Sequence, residues 1–313
     1  MRLFPIICGP TASGKSSLAV EVAALLISRG TPAEVVTADA FQVYRGMDIG
    51  TAKPTLAERR GITHHLIDLV EPSEPFSVDQ WLALAEPLIA SLQARGTVPI
   101  VVGGTHLYVK ALLEGLFEGP PPDSALRARL MDMDAHVRRA ELERVDPAAA
   151  ERIHFNDTRR TVRALEVFHQ TGTPLSEHQG QWDSGKTRAD ALLVVLNRPV
   201  ENLNPRINAR VKAMLAAGLL DEIRSLVASG RLNPASQAAQ ALGYKQLLEH
   251  LAGGMSLDDA TERIKIETRH FAKNQRTWLK RLGTSPDCLV FDASAEESSK
   301  IAQHVVNTIL TAF

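Results

Sequence analysis

Two cysteines in 313 residues, Cys8 and Cys288, are too few for a disulfide framework or a cysteine-based zinc site. Aromatic residues are scarce, at 5%. No apolar run approaches the roughly 18 residues that a membrane span requires. The formal charge is only −1, which argues against an indiscriminate nucleic-acid binder but leaves room for a local basic face. The opening "MRLFPIICGP" runs straight into an apolar strand and leaves no space for a targeting leader. These features predict a cytoplasmic protein without a membrane segment. The remaining composition, 44% apolar and 23% charged, is that of a globular chain with a sizeable core.

Apolar runs at Leu3–Cys8, Ala33–Asp39, Val98–Thr105 and Ala191–Asn197 read as buried strands. Between them, "SSLAVEVAALLISRG" and the stretch Val78–Arg95 carry helical periodicity. Strands alternating with helices predict an α/β fold with a parallel sheet. At "EGPPPDS" the texture changes to charged helical sequence, from Ala125 to about His169, followed by a polar loop. The expected organisation is a core of residues 1–118 and 191–313, interrupted by a mainly helical insertion domain, 119–190. Helical sequence then continues to about Leu282, before a short strand "DCLVFD" and a last helix.

Gly9-Pro10-Thr11-Ala12-Ser13-Gly14-Lys15-Ser16 fits the phosphate-binding pattern G-x-x-x-x-G-K-[ST], between a strand and a helix as that pattern needs. Its glycines let backbone N–H groups converge on an anion at a helix N-terminus. Lys15 reaches outer phosphates, and the Ser16 hydroxyl can ligate Mg²⁺. The pattern is also an ATP-binding signature, and it does not say whose phosphates are bound.

A nucleotide hydrolase would place a carboxylate at the end of a neighbouring strand. "VPIVVGGT" ends instead in Gly103-Gly104-Thr105, which offers close backbone approach and one hydroxyl. The carboxylate comes from Asp39, at the end of the strand after the loop helix, and is expected to face the same crevice. There it can act as a base or merely cap a turn.

The strings "GPTASGKS", "DAFQVYRGMDIGTAKP", "HHLIDLVEPSEPFS", "VVGGTHLYVKALLEGL", "DTRRTVRALEV" and "ALGYKQ" follow one another over about Phe4–Leu282. In that order and spacing they resemble the tRNA dimethylallyltransferase (IPP transferase) family of bacteria. The resemblance implies a P-loop NTPase-like parallel sheet flanked by helices. It also implies transfer of a dimethylallyl group from dimethylallyl diphosphate to N6 of the adenosine just 3′ of the anticodon, adenosine-37. The loop Gly9–Ser16 would then hold a diphosphate leaving group, with Mg²⁺ on Ser16. Asp39 would be the base, and Thr105 and Arg210 would serve the departing diphosphate, Arg206 being the alternative one turn earlier.

The same resemblance implies tRNA contacts at Asp39, Ala40, Phe41, Gln42, Thr105 and Arg127. It adds Arg159, Arg160, Thr161, Val162 and Arg163, and the run Gln240, Ala241, Leu242, Gly243, Tyr244 and Lys245. Ala40 stands where the family usually has serine, and Gln240 where some relatives have a basic residue. A stripe of Arg269, Lys273, Arg276 and Lys280 recurs at helical spacing and is expected to meet RNA phosphates. Phe271 and Trp278 are expected in the core. His64 and His65 are expected near the prenyl pocket. The anticodon stem-loop of tRNA and the diphosphate donor are the expected partners, and the chain is expected to act as a monomer. The alternative is a P-loop kinase using Asp39 as base and Arg159, Arg160 and Arg163 as a lid. Such a kinase would consume ATP without RNA.

Overall fold

The computed structural model describes residues 3–117, 119–179, 188–283 and 288–311. Residues 180–187 of the expected polar loop, and residue 118 at the expected domain boundary, lie outside that set. The strands are β1 (Phe4–Cys8), β2 (Ala33–Ala38), β3 (His64–His65), β4 (Val98–Gly103), β5 (Ala191–Asn197) and β6 (Cys288–Asp292). All pair in parallel in the order β3-β2-β4-β1-β5-β6. Phe4, Ile6, Ile7, Val35, Val36, Ile100 and Val101 are fully buried, as expected of a sheet covered on both faces by crossover helices. The two-residue β3 carries too little apolar signal to be read from the sequence.

Two compact units divide the chain. One comprises Met1–Leu112 with Ala189–Phe313, the other Leu113–Arg188. The second is helical and has its own core of Leu130, Leu142, Val145, Val162 and Leu165. Among the described residues, no helix is long and apolar enough to cross a membrane.

Strand register decides where the chemistry sits. Ala38 of β2, Gly103 of β4 and Cys8 of β1 lie in one row across the sheet. The residues that follow, Asp39, Gly104 and Gly9, therefore leave from the same edge, where ligands of open α/β sheets bind. At Gly103 the neighbouring backbone comes so close that a Cβ would lie 2.0 Å from the Ala38 carbonyl oxygen. The indole of Trp81, in the helix Val78–Ala94, donates a hydrogen bond to the Thr37 carbonyl at 2.9 Å. It pins β2 two residues before Asp39.

Gly103→Ala must push β4 away from β2. We expect a loss of roughly 1–3 kcal/mol or more, as for other overpacked cores, read as a lowered urea midpoint with unchanged slope.

Candidate active site

The loop after β1 curls on itself. A Cβ on Gly9 would meet Ser13 Oγ at 2.5 Å, and the Ser13 N–H donates to the Pro10 carbonyl at 3.1 Å. Gly14 takes a left-handed conformation, φ 100°, which a side chain would strain, and the helix Lys15–Ser28 starts there. The Thr11 N–H donates to Gln275 Oε1 at 2.8 Å, and Gln275 Nε2 donates to the Gly104 carbonyl at 2.8 Å. Gln275 belongs to the helix Leu257–Leu282 and is buried, with Ala272 and Leu279, on its inner face. Sequence reasoning passed over it. Its only signal was an uncharged amide between Lys273 and Arg276, in phase with apolar neighbours.

Lys15 and Arg210 stand beside this loop, and neither donates a hydrogen bond to any described protein acceptor. Burial, then the nearby Arg210 charge, push the Lys15 pKa down to about 8, against smaller opposing effects of Asp39 and Cys8. Burial also lowers the Arg210 pKa, partly offset by the charges of Asp39 and Glu58. Arg206 is placed differently: it is at the surface, and its Nε donates to the Ala12 carbonyl at 3.0 Å.

Asp39 divides its two oxygens. Oδ1 accepts from the N–H groups of Phe41 at 2.9 Å and Gln42 at 3.3 Å, which is a turn cap. Oδ2 accepts no hydrogen bond among the described residues. Thr105 Oγ1 accepts from the Ala40 N–H at 3.1 Å, which leaves the hydroxyl proton to be donated elsewhere. Lys15, Ser16, Asp39, Gln42, Pro54 and His64 line one crevice with Thr37, Val102 and Gly103, about 300 Å³ including its open mouth. His64 holds the Ile62 carbonyl through Nδ1, and burial lowers its pKa, so it borders the crevice as a neutral ring at pH 7. His65 turns instead to the Glu34 carboxylate.

In the helical unit, Arg127 and Arg163 both donate to the fully buried carboxylate of Glu166, at 2.6 and 2.7 Å. Burial alone would raise the pKa of Glu166, but these hydrogen bonds, with one from the Asp123 N–H, hold it below the usual carboxylate value. Arg159 is exposed, without a partner among the described residues, and Arg160 is exposed with a long 3.5 Å approach to Asp157. Thr161 and Val162 are buried, so their side chains offer RNA no surface. In the run Gln240–Lys245, Ala241, Gly243 and Tyr244 are buried, Gln240 and Leu242 are partly exposed, and only Lys245 lies fully at the surface.

The expected core placement of Phe271 and Trp278 is corrected. Phe271 is 40% exposed and Trp278 is partly exposed. His106 stacks on Trp278, with centroids 4.8 Å apart, and more loosely on Phe271. The expected cationic stripe is uneven: Lys273 and Lys280 are exposed, Arg269 binds Asn208, and Arg276 is partly buried.

A parallel sheet whose first strand passes through a glycine loop into a helix, with strand ends converging on that loop, defines a P-loop phosphate-binding protein. A model of the IPP transferase family matches residues 42–282, and one described as isopentenyl transferase matches residues 1–71. The chain belongs to the IPP transferase family. It is 47% identical over 293 residues to a tRNA dimethylallyltransferase of Syntrophobacter fumaroxidans, covering 92% of this chain and 83% of that protein. With the one from Geobacillus kaustophilus it shares 45% over 280 residues, 88% and 86% of the two chains. The full-length tRNA isopentenylpyrophosphate transferase of Bacillus halodurans superposes with a TM-score of 0.72 at 35% identity, over 99% of this chain and 96% of that one. A eukaryotic dimethylallyltransferase acting on tRNA gives 0.82 at 29% identity, over 98% of this chain and 78% of that one.

Two outcomes are expected. As pH rises through about 8, Lys15 loses its proton and kcat/KM for a diphosphate substrate falls, about tenfold per unit once past the pKa; Lys15→Arg should remove that limb. The sign for folding is opposite: between about 8 and the usual 10.5 the unfolded chain binds the extra proton, so the ligand-free protein gains stability there. Gln275→Ala frees the Thr11 N–H and the Gly104 carbonyl, and should raise the KM for a diphosphate donor by roughly tenfold, from about 1–2 kcal/mol of lost hydrogen bonding.

Proposed function

We propose that the chain transfers the dimethylallyl group of dimethylallyl diphosphate to N6 of adenosine-37 in tRNA, releasing diphosphate. The observation that carries this reading is a crevice lined by Lys15, Ser16 and Asp39, with the Arg210 charge close to both Lys15 and Asp39 and neither cation bound to a described protein acceptor. The exocyclic amine of adenine is a weak nucleophile because its lone pair is delocalised into the ring. Asp39 Oδ2 takes the N6 proton as the new C–N bond forms and the C–O bond to diphosphate breaks. Lys15, Arg210, the loop N–H groups and the Thr105 hydroxyl stabilise the charge that builds on the diphosphate. The low pKa of Lys15 in the free protein fits a site built to be completed by an anion.

Mg²⁺ would supply further charge neutralisation. Among the described residues, no group of three or more carboxylate, histidine or cysteine side chains could hold a metal alone. The Ser16 hydroxyl beside Lys15 fits an ion held jointly with substrate phosphates, the usual manner for Mg²⁺.

An adenine in a loop must leave its stack to reach Asp39. Arg159, Lys245, Lys273 and Lys280, with the weakly paired Arg160, present exposed cations for the RNA backbone. Arg127 and Arg163 are oriented by Glu166 and present only their outer edges. Residues 119–190 serve as the tRNA-contacting insertion domain in this reading. In this reading the chain acts as a monomer in the cytoplasm, with its tRNA.

Asp39→Asn keeps a turn-capping oxygen but removes the base. Turnover should fall roughly 10²- to 10⁴-fold while tRNA binding persists. The measurement is transfer of labelled dimethylallyl diphosphate to tRNA, with binding followed by gel shift. Undiminished transfer by the variant, or label taken up without tRNA, would refute the assignment.

A further inference from the structure

The run Gln240–Lys245 is read above as an RNA contact, yet its tyrosine is buried and faces another task. The Tyr244 hydroxyl donates to Glu222 Oε1 at 2.5 Å. Glu222 lies in the first turn of the helix Leu219–Ala228. Its Oε2 accepts from the backbone N–H groups of Asp48 at 3.0 Å and Ile49 at 2.8 Å, and Oε1 approaches the Gly50 N–H at 3.4 Å. Successive amides pointing at one carboxylate form an anion nest, filled here by a side chain from 172 or more residues away. Gly50 is required by the packing: a Cβ there would sit 2.4 Å from the Tyr244 ring and 2.9 Å from Leu219.

The segment so gripped leads directly to the crevice. Thr51 and Ala52 follow Gly50, and their carbonyls accept from Gln42 Nε2 at 3.1 and 3.2 Å. Gln42 and Pro54 are crevice walls. The other end of the turn is fixed by the buried Lys53 ammonium, which binds the Tyr44 carbonyl at 2.9 Å and Asp48 and Asp68 at 2.6 Å each. A continuous chain of contacts thus runs from Tyr244 through Glu222 and Asp48–Gly50 to Gln42. The diphosphate loop is positioned by a separate contact, Gln275.

We propose that Glu222, oriented by Tyr244, is a positioning residue for the acceptor-base side of the crevice, holding the turn Asp48–Lys53 so that Gln42 and Pro54 frame the incoming adenine. This rests on the transferase reading above. Because the two sides of the crevice are held by different residues, damage at Glu222 should weaken use of tRNA and spare use of the donor.

The test is steady-state kinetics of the full chain, varying tRNA and dimethylallyl diphosphate separately, for Glu222→Gln and Tyr244→Phe. A neutral amide at 222 forfeits the charge that draws three N–H groups; the tyrosine variant loses only a hydroxyl. Expected are a KM for tRNA at least tenfold higher in Glu222→Gln, a smaller rise in Tyr244→Phe, a reduced kcat, and a donor KM within twofold of the parent. Direct titration of the donor should give the same Kd for all three proteins. Equal worsening of both KM values, or unchanged kinetics in both variants, would overturn the proposal. Should Glu222→Gln not fold, Tyr244→Phe decides by the same split. Failure of the unaltered protein to prenylate tRNA would sink the transferase reading itself, and this inference with it.

Discussion

Two like charges held close together without a protein acceptor are costly, and that constraint organises the whole crevice. Burial lowers the proton affinity of both Lys15 and Arg210; the Arg210 charge lowers that of Lys15 further, and the Arg206 charge that of Arg210. Neighbouring Asp39 relieves them only in part. An anion with several oxygens relieves both, which is why the geometry favours a phosphate chain over a neutral ligand.

Keeping such a site open requires that its walls be held from elsewhere. Gln275 ties the glycine loop to the end of β4, and Glu222 ties the Asp48–Lys53 turn to the helix Leu219–Ala228. Both are side chains from the C-terminal half acting on backbone groups of the N-terminal half. Asp39 itself is fixed through one oxygen, so the other is aimed without needing a side-chain partner. Trp81 holds β2 beneath it. The contacts of Gln275, Glu222 and Asp39 satisfy backbone groups that irregular loops would otherwise leave unpaired.

The cations proposed to face RNA follow a different logic. Arg127 and Arg163 share a fully buried carboxylate, so their orientation is set by folding of the helical unit. Arg159 and Arg160, two and three residues from the cap Asp157, are surface cations. His106, directly after Thr105, stacks with Trp278 and Phe271 in a partly exposed aromatic cluster.

What the chain order alone determined was local. Gly9–Ser16 was legible because a phosphate loop needs glycines and a lysine at short fixed spacing, and the strands because continuous apolar runs bury on both faces. Asp39 and Thr105 followed, since both sit at strand ends. Tertiary structure decided what depends on pairs distant in sequence: Gln275 on Thr11, Glu222 on Asp48–Gly50, Glu166 beneath Arg127, and the exposure of Phe271. Hydrophobic periodicity records which face of a helix turns inward but not what it meets there, and a buried polar group is recognisable only once its partner is in place.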